Sequence, residues 1–183
     1  MRLDLPAKKT VLRSIRISQE QAEILEQEAQ KKGLSFNALI STMIAKYVEW
    51  DRFADRFGIV TMTHEGHKNM MDLMDEEAVV TLARKSGTRI PMEMTLFWFK
   101  KLNLQTFFSF IALHSKYSRA YHYELESEGR NHTITFHHDF GPNYTAFLRH
   151  YYDQAIRNII GVAPKIVVRQ TSLIMSFQEP VPG

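Results

Sequence analysis

The strongest constraint on the fold is a strand-like segment followed directly by two short amphipathic helices. Residues 11–18 read VLRSIRIS, in which Val11, Ile15 and Ile17 fall on one face of an extended chain. This alternation predicts a β-strand with one half-buried face. A lone strand leaves its backbone edges unpaired, so a strand in this position requires a partner.

Two helices are predicted directly after the strand. The first is expected over residues 19–32, with Ser18 as its N-cap and Gly33 just beyond its end. The second begins after Ser35 and carries a wide apolar stripe to at least Val48. One strand and two helices are too few to enclose a core, and dimerisation would bury both the apolar faces and the strand edge.

This order of elements resembles the ribbon-helix-helix repressors of the Arc, MetJ and CopG type. The resemblance covers residues 10–50 and is carried by RSIRISQEQAEILEQEAQKKGLSFNALISTMIAKYV. It implies a homodimer in which one strand from each subunit joins an antiparallel ribbon, and the ribbon enters the major groove of double-stranded DNA.

The resemblance also implies roles for single residues. Leu12, Ser14 and Arg16 would contact bases, with Arg16 suited to guanine, while Ile15 and Ile17 would point into the dimer core. Arg13 departs from the pattern, which usually has an apolar residue there, and we expect its guanidinium at a phosphate. The expected phosphate contacts are Lys8, Lys9 and Arg13, together with the start of the second helix at Ser35, Phe36 and Asn37.

Positive charge is concentrated at the beginning of the chain. Residues 1–18 hold five basic residues and one acid, hence a local charge of +4, whereas the whole chain carries +3. A basic arm over residues 1–9 suits an anionic partner such as DNA, and the same composition suits a solvated tail.

The remainder of the chain predicts a second domain, and the fold class expected for the whole is α+β. The expected domains are 10–57 and 58–183. No linker rich in Gly, Ser or Pro follows residue 57, so we expect the second helix to lead directly into the second domain. The role expected of the second domain is to sense a ligand or to build an oligomer. Its expected helices lie near 65–85, 92–101, 104–117 and 143–160, and its expected strands near 59–62, 120–127, 131–138 and 165–177.

Two of these strands can be placed in register. With 129–130 as a two-residue turn, Leu125 faces Ile134 and Tyr123 faces Phe136, which matches apolar with apolar side chains. The predicted sheet therefore contains this antiparallel hairpin.

The opposite face of that hairpin predicts a candidate site for Zn²⁺ or Ni²⁺. His122 falls opposite His137 with Glu124 next along, and His132 or His150 would add a ligand. A solvated polar sheet face gives the same pattern. Two-domain nickel-responsive repressors share the overall layout but use a cysteine ligand, and the absence of cysteine from this chain argues against nickel sensing.

Other features bound the function. The aromatic run over residues 96–114 is typical of a core, and would also suit a small-molecule pocket or an oligomer interface. No catalytic motif for hydrolysis, phosphate transfer or dinucleotide binding occurs, so we do not expect an enzyme. No apolar run reaches the roughly 18 residues of a membrane span, which predicts a soluble, cytoplasmic protein without a membrane partner.

The sequence thus predicts a DNA-binding transcriptional regulator, most simply a repressor, with a small-molecule effector as a further expected partner. One alternative is an antitoxin-like dimer whose C-terminal domain binds a partner protein. Another is a small-molecule-binding or enzymatic domain for which DNA binding is incidental.

Overall fold

The chain forms two compact units, Met1–Ala45 and Lys46–Gly183. The computed structural model describes residues 11–169 and 172–181. The predicted arm 1–9, with Lys8 and Lys9, lies outside the described residues. The division between the units falls before the predicted boundary at residue 57, because the segment from Lys46 to Phe57 packs against the core of the C-terminal unit.

The first helix of the N-terminal unit begins as predicted. Helix α1 spans Gln19–Lys31, and the Ser18 hydroxyl accepts the Gln21 N–H at 3.2 Å. The Gln21 side chain accepts the Ser18 N–H at 3.1 Å in return, which completes a capping box. Both groups would otherwise be unpaired donors at a helix start.

The same helix ends at a glycine, also as predicted. Gly33 has φ of 63°, a left-handed conformation that favours glycine. Its N–H donates to the carbonyl of Gln30 at 3.0 Å, and the N–H of Leu34 donates to the carbonyl of Ala29 at 2.9 Å. These two bonds form a Schellman motif and turn the chain towards the second helix.

The second helix reaches the end of the N-terminal unit and is followed directly by further helical turns. Helix α2 spans Phe36–Lys46, with the Ser35 hydroxyl accepting the Ala38 N–H at 3.2 Å. A π-helical turn, Tyr47–Asp51, follows directly and leads into α3, Arg52–Phe57. The helical backbone therefore continues into the C-terminal unit without a linker, as expected.

Four further helices build most of the C-terminal unit: α4 His64–Asp72, α5 Glu76–Phe99, α6 Leu104–Ser118 and α7 Pro142–Ile160. The single helix expected over 65–85 is wrong, because Asp75 caps a new helix by accepting the Ala78 N–H at 2.8 Å. The separate helix expected over 92–101 is also wrong, because α5 continues through Pro91.

Close packing explains how α5 tolerates its proline. A proline ring meets the carbonyl of the residue four positions earlier, here Gly87. Gly87 lies so close to α7 that an added Cβ would be 2.3 Å from the carbonyl oxygen of Tyr151. Packing between α5 and α7 thus offsets the hydrogen bond that Pro91 cannot make.

Four antiparallel strands form one sheet in the order β1-β2-β4-β3. The predicted pairs Leu125 with Ile134 and Tyr123 with Phe136 are confirmed. The long strand expected over 165–177 is instead two strands that pair with each other. The strands are β1 His122–Glu128, β2 Asn131–His137, β3 Lys165–Val168 and β4 Ser172–Gln178.

The core of the C-terminal unit lies between the sheet and its helices. Tyr152 on α7, Phe107 on α6 and Phe136 on β2 are all fully buried. The aromatic run 96–114 supplies much of this core, as its typical interpretation predicts. The overall class is α+β, in agreement with the sequence. No helix in the described ranges is long and apolar enough to cross a membrane.

Candidate functional site

The predicted base-contacting residues all lie on the surface of the N-terminal unit. Leu12, Ser14 and Arg16 are exposed, and Arg13 is exposed with its guanidinium donating to the Leu12 carbonyl at 3.0 Å. The strand predicted over 11–18 does not form in the single chain. Strand hydrogen bonds need a second backbone, and none of the described residues supplies one to this segment.

Apolar side chains of the N-terminal unit are exposed where the resemblance places a dimer core. Ile15 is 67% exposed and Ile44, on α2, is 58% exposed. Several large exposed apolar side chains on a unit this small favour an interaction surface. We call this set the N-terminal apolar surface: Val11, Ile15, Ile17, Ile24, Leu34, Met43 and Ile44.

The start of α2 keeps the features that suit a phosphate. Ser35 and Asn37 are exposed, Phe36 is half-buried, and the first turn holds no acidic residue. The Ser35 hydroxyl is already the helix cap, so its contribution to a phosphate would come from its backbone amide and the helix dipole.

The predicted metal ligands come together only in part. The rings of His122 and His137 stack with centroids 6.4 Å apart, and His137 Nε2 lies 3.8 Å from a carboxylate oxygen of Glu124. Within the described ranges, no three His, Asp or Glu residues are grouped so as to hold a metal ion. The arrangement is a polar sheet face with one long contact between His137 and Glu124.

The further ligand expected from His132 is wrong. His132 lies on the opposite, buried face of β2 between Phe108 and Phe177, and 6% of it is exposed. Its Nδ1 bonds to the Ser127 hydroxyl at 2.9 Å. Its Nε2 has no hydrogen-bond partner among the described residues and lies 3.9 Å from a carboxylate oxygen of Glu179.

The C-terminal unit contains a cavity of about 920 Å³ that sequence reasoning did not locate. This size is within the range of small-molecule sites. Its walls come from the π-helical turn, the segment 59–63, where the predicted strand 59–62 does not form, and helices α4 to α7. We call it the α7 cavity, because rings along α7 form one continuous wall.

That wall is an aromatic ladder with helical spacing. Tyr144 and Phe147 stack with their ring centroids 5.9 Å apart, and Phe147 and Tyr151 stack at 5.3 Å. The ring of Phe140 extends the ladder 4.9 Å from Tyr144. Tyr144 is 3% exposed, and its hydroxyl makes none of the hydrogen bonds found in the described part of the chain.

His114 forms part of the facing wall. Its ring stacks on Tyr121 with centroids 5.5 Å apart and lies 6.0 Å from Trp50. Burial lowers the pKa of His114 to about 4, so the imidazole is neutral near pH 7. Ser118 bonds to His114 Nδ1 at 3.3 Å, and a neutral ring whose Nδ1 carries the proton offers Nε2 as an acceptor.

Two further histidines, His64 and His67, also line the cavity. His64 Nε2 lies 2.7 Å from a carboxylate oxygen of Asp139, and its ring stacks on Phe140 at 4.2 Å. Burial lowers the pKa of His67, and the neighbouring His64 lowers it further. A neutral His67 therefore adds a weakly polar edge to an otherwise aromatic surface.

The π-helical turn holds Trp50 in the cavity wall. The indole N–H of Trp98 donates to the Glu49 carbonyl at 3.1 Å, and the Glu49 carboxylate accepts from Lys116 at 2.8 Å and from Tyr117 at 2.7 Å. Trp50 packs 5.5 Å from Trp98, measured between ring centroids. π-Helical turns inside α-helices are frequent at functional sites, because they redirect side chains without breaking the helix.

The sequence contained part of the signal for this cavity. The stripe on α7 predicts an apolar helix face, but it does not distinguish a face that fills a core from one that lines a cavity. No protein-family model, curated protein or solved structure matched the chain. The candidate sites therefore stand on their geometry and chemistry alone.

Proposed function

We propose that this chain is a homodimeric, sequence-specific DNA-binding transcriptional regulator that acts in the cytoplasm, with the N-terminal unit as its ribbon-helix-helix module. The observation that carries the proposal is the N-terminal apolar surface, which includes three exposed side chains of residues 11–18, a segment without strand hydrogen bonds to the described residues. A second copy of the chain would pair with that segment and cover these side chains.

Local geometry supports the same interpretation. The capping box at Ser18, the Schellman turn at Gly33 and the cap at Ser35 together hold two short helices behind an exposed segment. That segment carries Arg16, whose guanidinium suits bidentate contact with guanine. The C-terminal unit would then sense a ligand or build a higher oligomer.

A matched pair of charge substitutions tests the dimer. Ile15→Glu places a carboxylate on the face assigned to the dimer core, and Leu12→Glu places the same group on the face assigned to DNA. We expect Ile15→Glu to give monomers by light scattering and Leu12→Glu to remain dimeric. A monomeric parent chain, or equal effects of the two substitutions, would exclude the ribbon.

DNA recognition needs a separate test. Selection of bound genomic fragments should recover an operator with two half-sites. Arg16→Ala should then weaken specific binding by about 1 to 3 kcal/mol. Arg149→Ala removes the same charge from an exposed position on α7 and should leave discrimination between operator and unrelated DNA unchanged. A dimer without measurable DNA affinity would favour the antitoxin-like alternative.

A further inference from the structure

The lysine and arginine side chains that line the α7 cavity are not matched by any acidic side chain in the same lining, among the described residues. The described residues that line it include Lys46 and Arg119 but neither aspartate nor glutamate. The carboxylates near this lining are already engaged, because Asp51 pairs with Lys46 at 2.6 Å, Asp139 pairs with His64 at 2.7 Å, and Glu49 accepts from Lys116 at 2.8 Å. A bound cation would therefore meet no free negative charge, whereas an anion would meet a positive one.

Arg119 is the cation available to a ligand. It follows the last residue of α6 and is exposed, and none of the hydrogen bonds or ion pairs found in the described ranges includes its guanidinium. Guanidinium groups bind carboxylates through two parallel hydrogen bonds. An unpaired guanidinium at the edge of an aromatic cavity suits a ligand with one acidic group.

The remaining surface suits a flat apolar body. The ladder of Tyr144, Phe147 and Tyr151 presents ring faces and edges, and aromatic ligands pack on such surfaces in offset or edge-to-face arrangements. Tyr144 and His114 also line the cavity, where a phenol can donate a hydrogen bond and a neutral imidazole can accept one. Few polar groups in a mainly apolar lining are the usual composition of a small-molecule site.

We propose that the α7 cavity binds a small aromatic carboxylic acid, with its ring against the aromatic ladder and its carboxylate at Arg119. This assignment gives a chemical class to the effector of the proposed function. It rests on the C-terminal unit alone, so its test uses no DNA and can fail or succeed independently of DNA binding.

The test compares three probes with the same ring system and different charge. They are 1-naphthylacetate, which is an anion, the neutral 1-naphthylacetamide, and the cationic (1-naphthylmethyl)trimethylammonium. Isothermal titration of the full chain should show one site per chain and an affinity order of anion, then neutral, then cation. Tightest binding of the cation would overturn the proposal in favour of an aromatic cation cage, and so would the absence of saturable binding of any probe.

Two matched substitutions test whether Arg119 is the group that binds the carboxylate of the ligand. Arg119→Gln should weaken 1-naphthylacetate binding about five-fold and leave 1-naphthylacetamide within about two-fold, as expected for loss of a partly exposed ion pair. Lys100→Gln is the control, because Lys100 also ends a helix in the left-handed region, with φ of 56° like Arg119, and does not line the cavity. Equal losses from the two substitutions would overturn the role of Arg119.

A second pair of substitutions tests whether the ring of the ligand packs against the aromatic ladder. Phe147→Leu removes a ladder ring and should weaken the neutral and anionic probes alike. Phe97→Leu removes a half-buried ring that packs on Phe53 and Phe57 outside the cavity, so binding should not change. Circular dichroism confirms that each variant is folded. Unchanged binding by folded Phe147→Leu would place the ligand elsewhere and overturn the proposal.

Discussion

The indole nitrogen of Trp98 donates a hydrogen bond to the backbone carbonyl of Glu49 across 3.1 Å. The donor lies near the end of α5 and the acceptor lies in the π-helical turn, where the backbone departs from α-helical bonding. A side chain distant in sequence therefore helps to hold the turn that places Trp50 at the cavity. This contact joins the segment that follows α2 to the core of the C-terminal unit.

Trp98→Phe should destabilise the chain more than Trp50→Phe does. Both tryptophans are largely buried and lose similar apolar area, but only Trp98 donates to Glu49 among the hydrogen bonds of the described residues. The lost hydrogen bond should make the difference about 1 kcal/mol. Urea unfolding followed by circular dichroism measures both variants, and equal losses would show that the bond contributes little.

Gly87→Ala should destabilise the C-terminal unit although alanine is the better helix former. The added Cβ would lie 2.3 Å from the Tyr151 carbonyl oxygen, so α5 and α7 must move apart. We expect a net loss of about 1 to 3 kcal/mol, against a propensity gain of about 1 kcal/mol. Lys85→Ala, at an exposed position of the same helix, is the control and should change stability by less. A melting temperature that rises in Gly87→Ala would contradict the close approach.

Substitutions of Ser35 should separate its capping role from its proposed place at a phosphate. Ser35→Asp keeps an acceptor for the Ala38 N–H, whereas Ser35→Ala removes it and should cost about 1 kcal/mol. Under the proposed function, Ser35→Asp should weaken DNA binding by charge repulsion while thermal stability is retained. Gel shifts and thermal melting give the two readouts. If the DNA affinities of the two variants change only in proportion to their thermal stabilities, then the start of α2 does not contact DNA.

Stability should fall as the pH is lowered from 6.5 towards 4. Burial lowers the pKa of His114 from its ordinary value of 6.5 to about 4, so in this range the unfolded chain binds a proton that the folded chain does not. The contribution of neutral His114 to the free energy of unfolding is fully present above pH 6.5. Between pH 7 and pH 5 its loss should be about 2 kcal/mol.

His114→Gln isolates that contribution. Burial also lowers the pKa of His67 and His138, so a shallower dependence on pH should remain in the variant. His122→Gln, at an exposed position of the sheet, is the control and should keep the parent slope. Urea unfolding at pH 7 and pH 5 measures each chain. If the free energy of unfolding falls equally between pH 7 and pH 5 in the parent and in His114→Gln, then His114 is already protonated at pH 5 in the folded chain.

Local signals predicted more of this chain than did long-range ones. The cap at Ser18, the glycine at 33 and the register of Leu125 opposite Ile134 are settled by neighbouring residues, and all three are confirmed. The continuation of α5 through Pro91 was not predicted, because packing against α7 outweighs the local cost of a proline. The helix break before Asp75 was also missed, although the Asp75 cap is a local signal. The pairing of β3 with β4 also depends on contacts that a single-strand pattern does not contain.

By itself, the sequence determined the type and order of most elements, since capping, glycine conformation and side-chain periodicity act within a few residues. Tertiary structure alone decided that the α7 stripe lines a cavity and that His114 is held neutral, whereas the burial of His132 follows from strand alternation with Ile134. The first two outcomes depend on which distant elements exclude water from a side chain, and that is fixed only when the helices and the sheet are packed together.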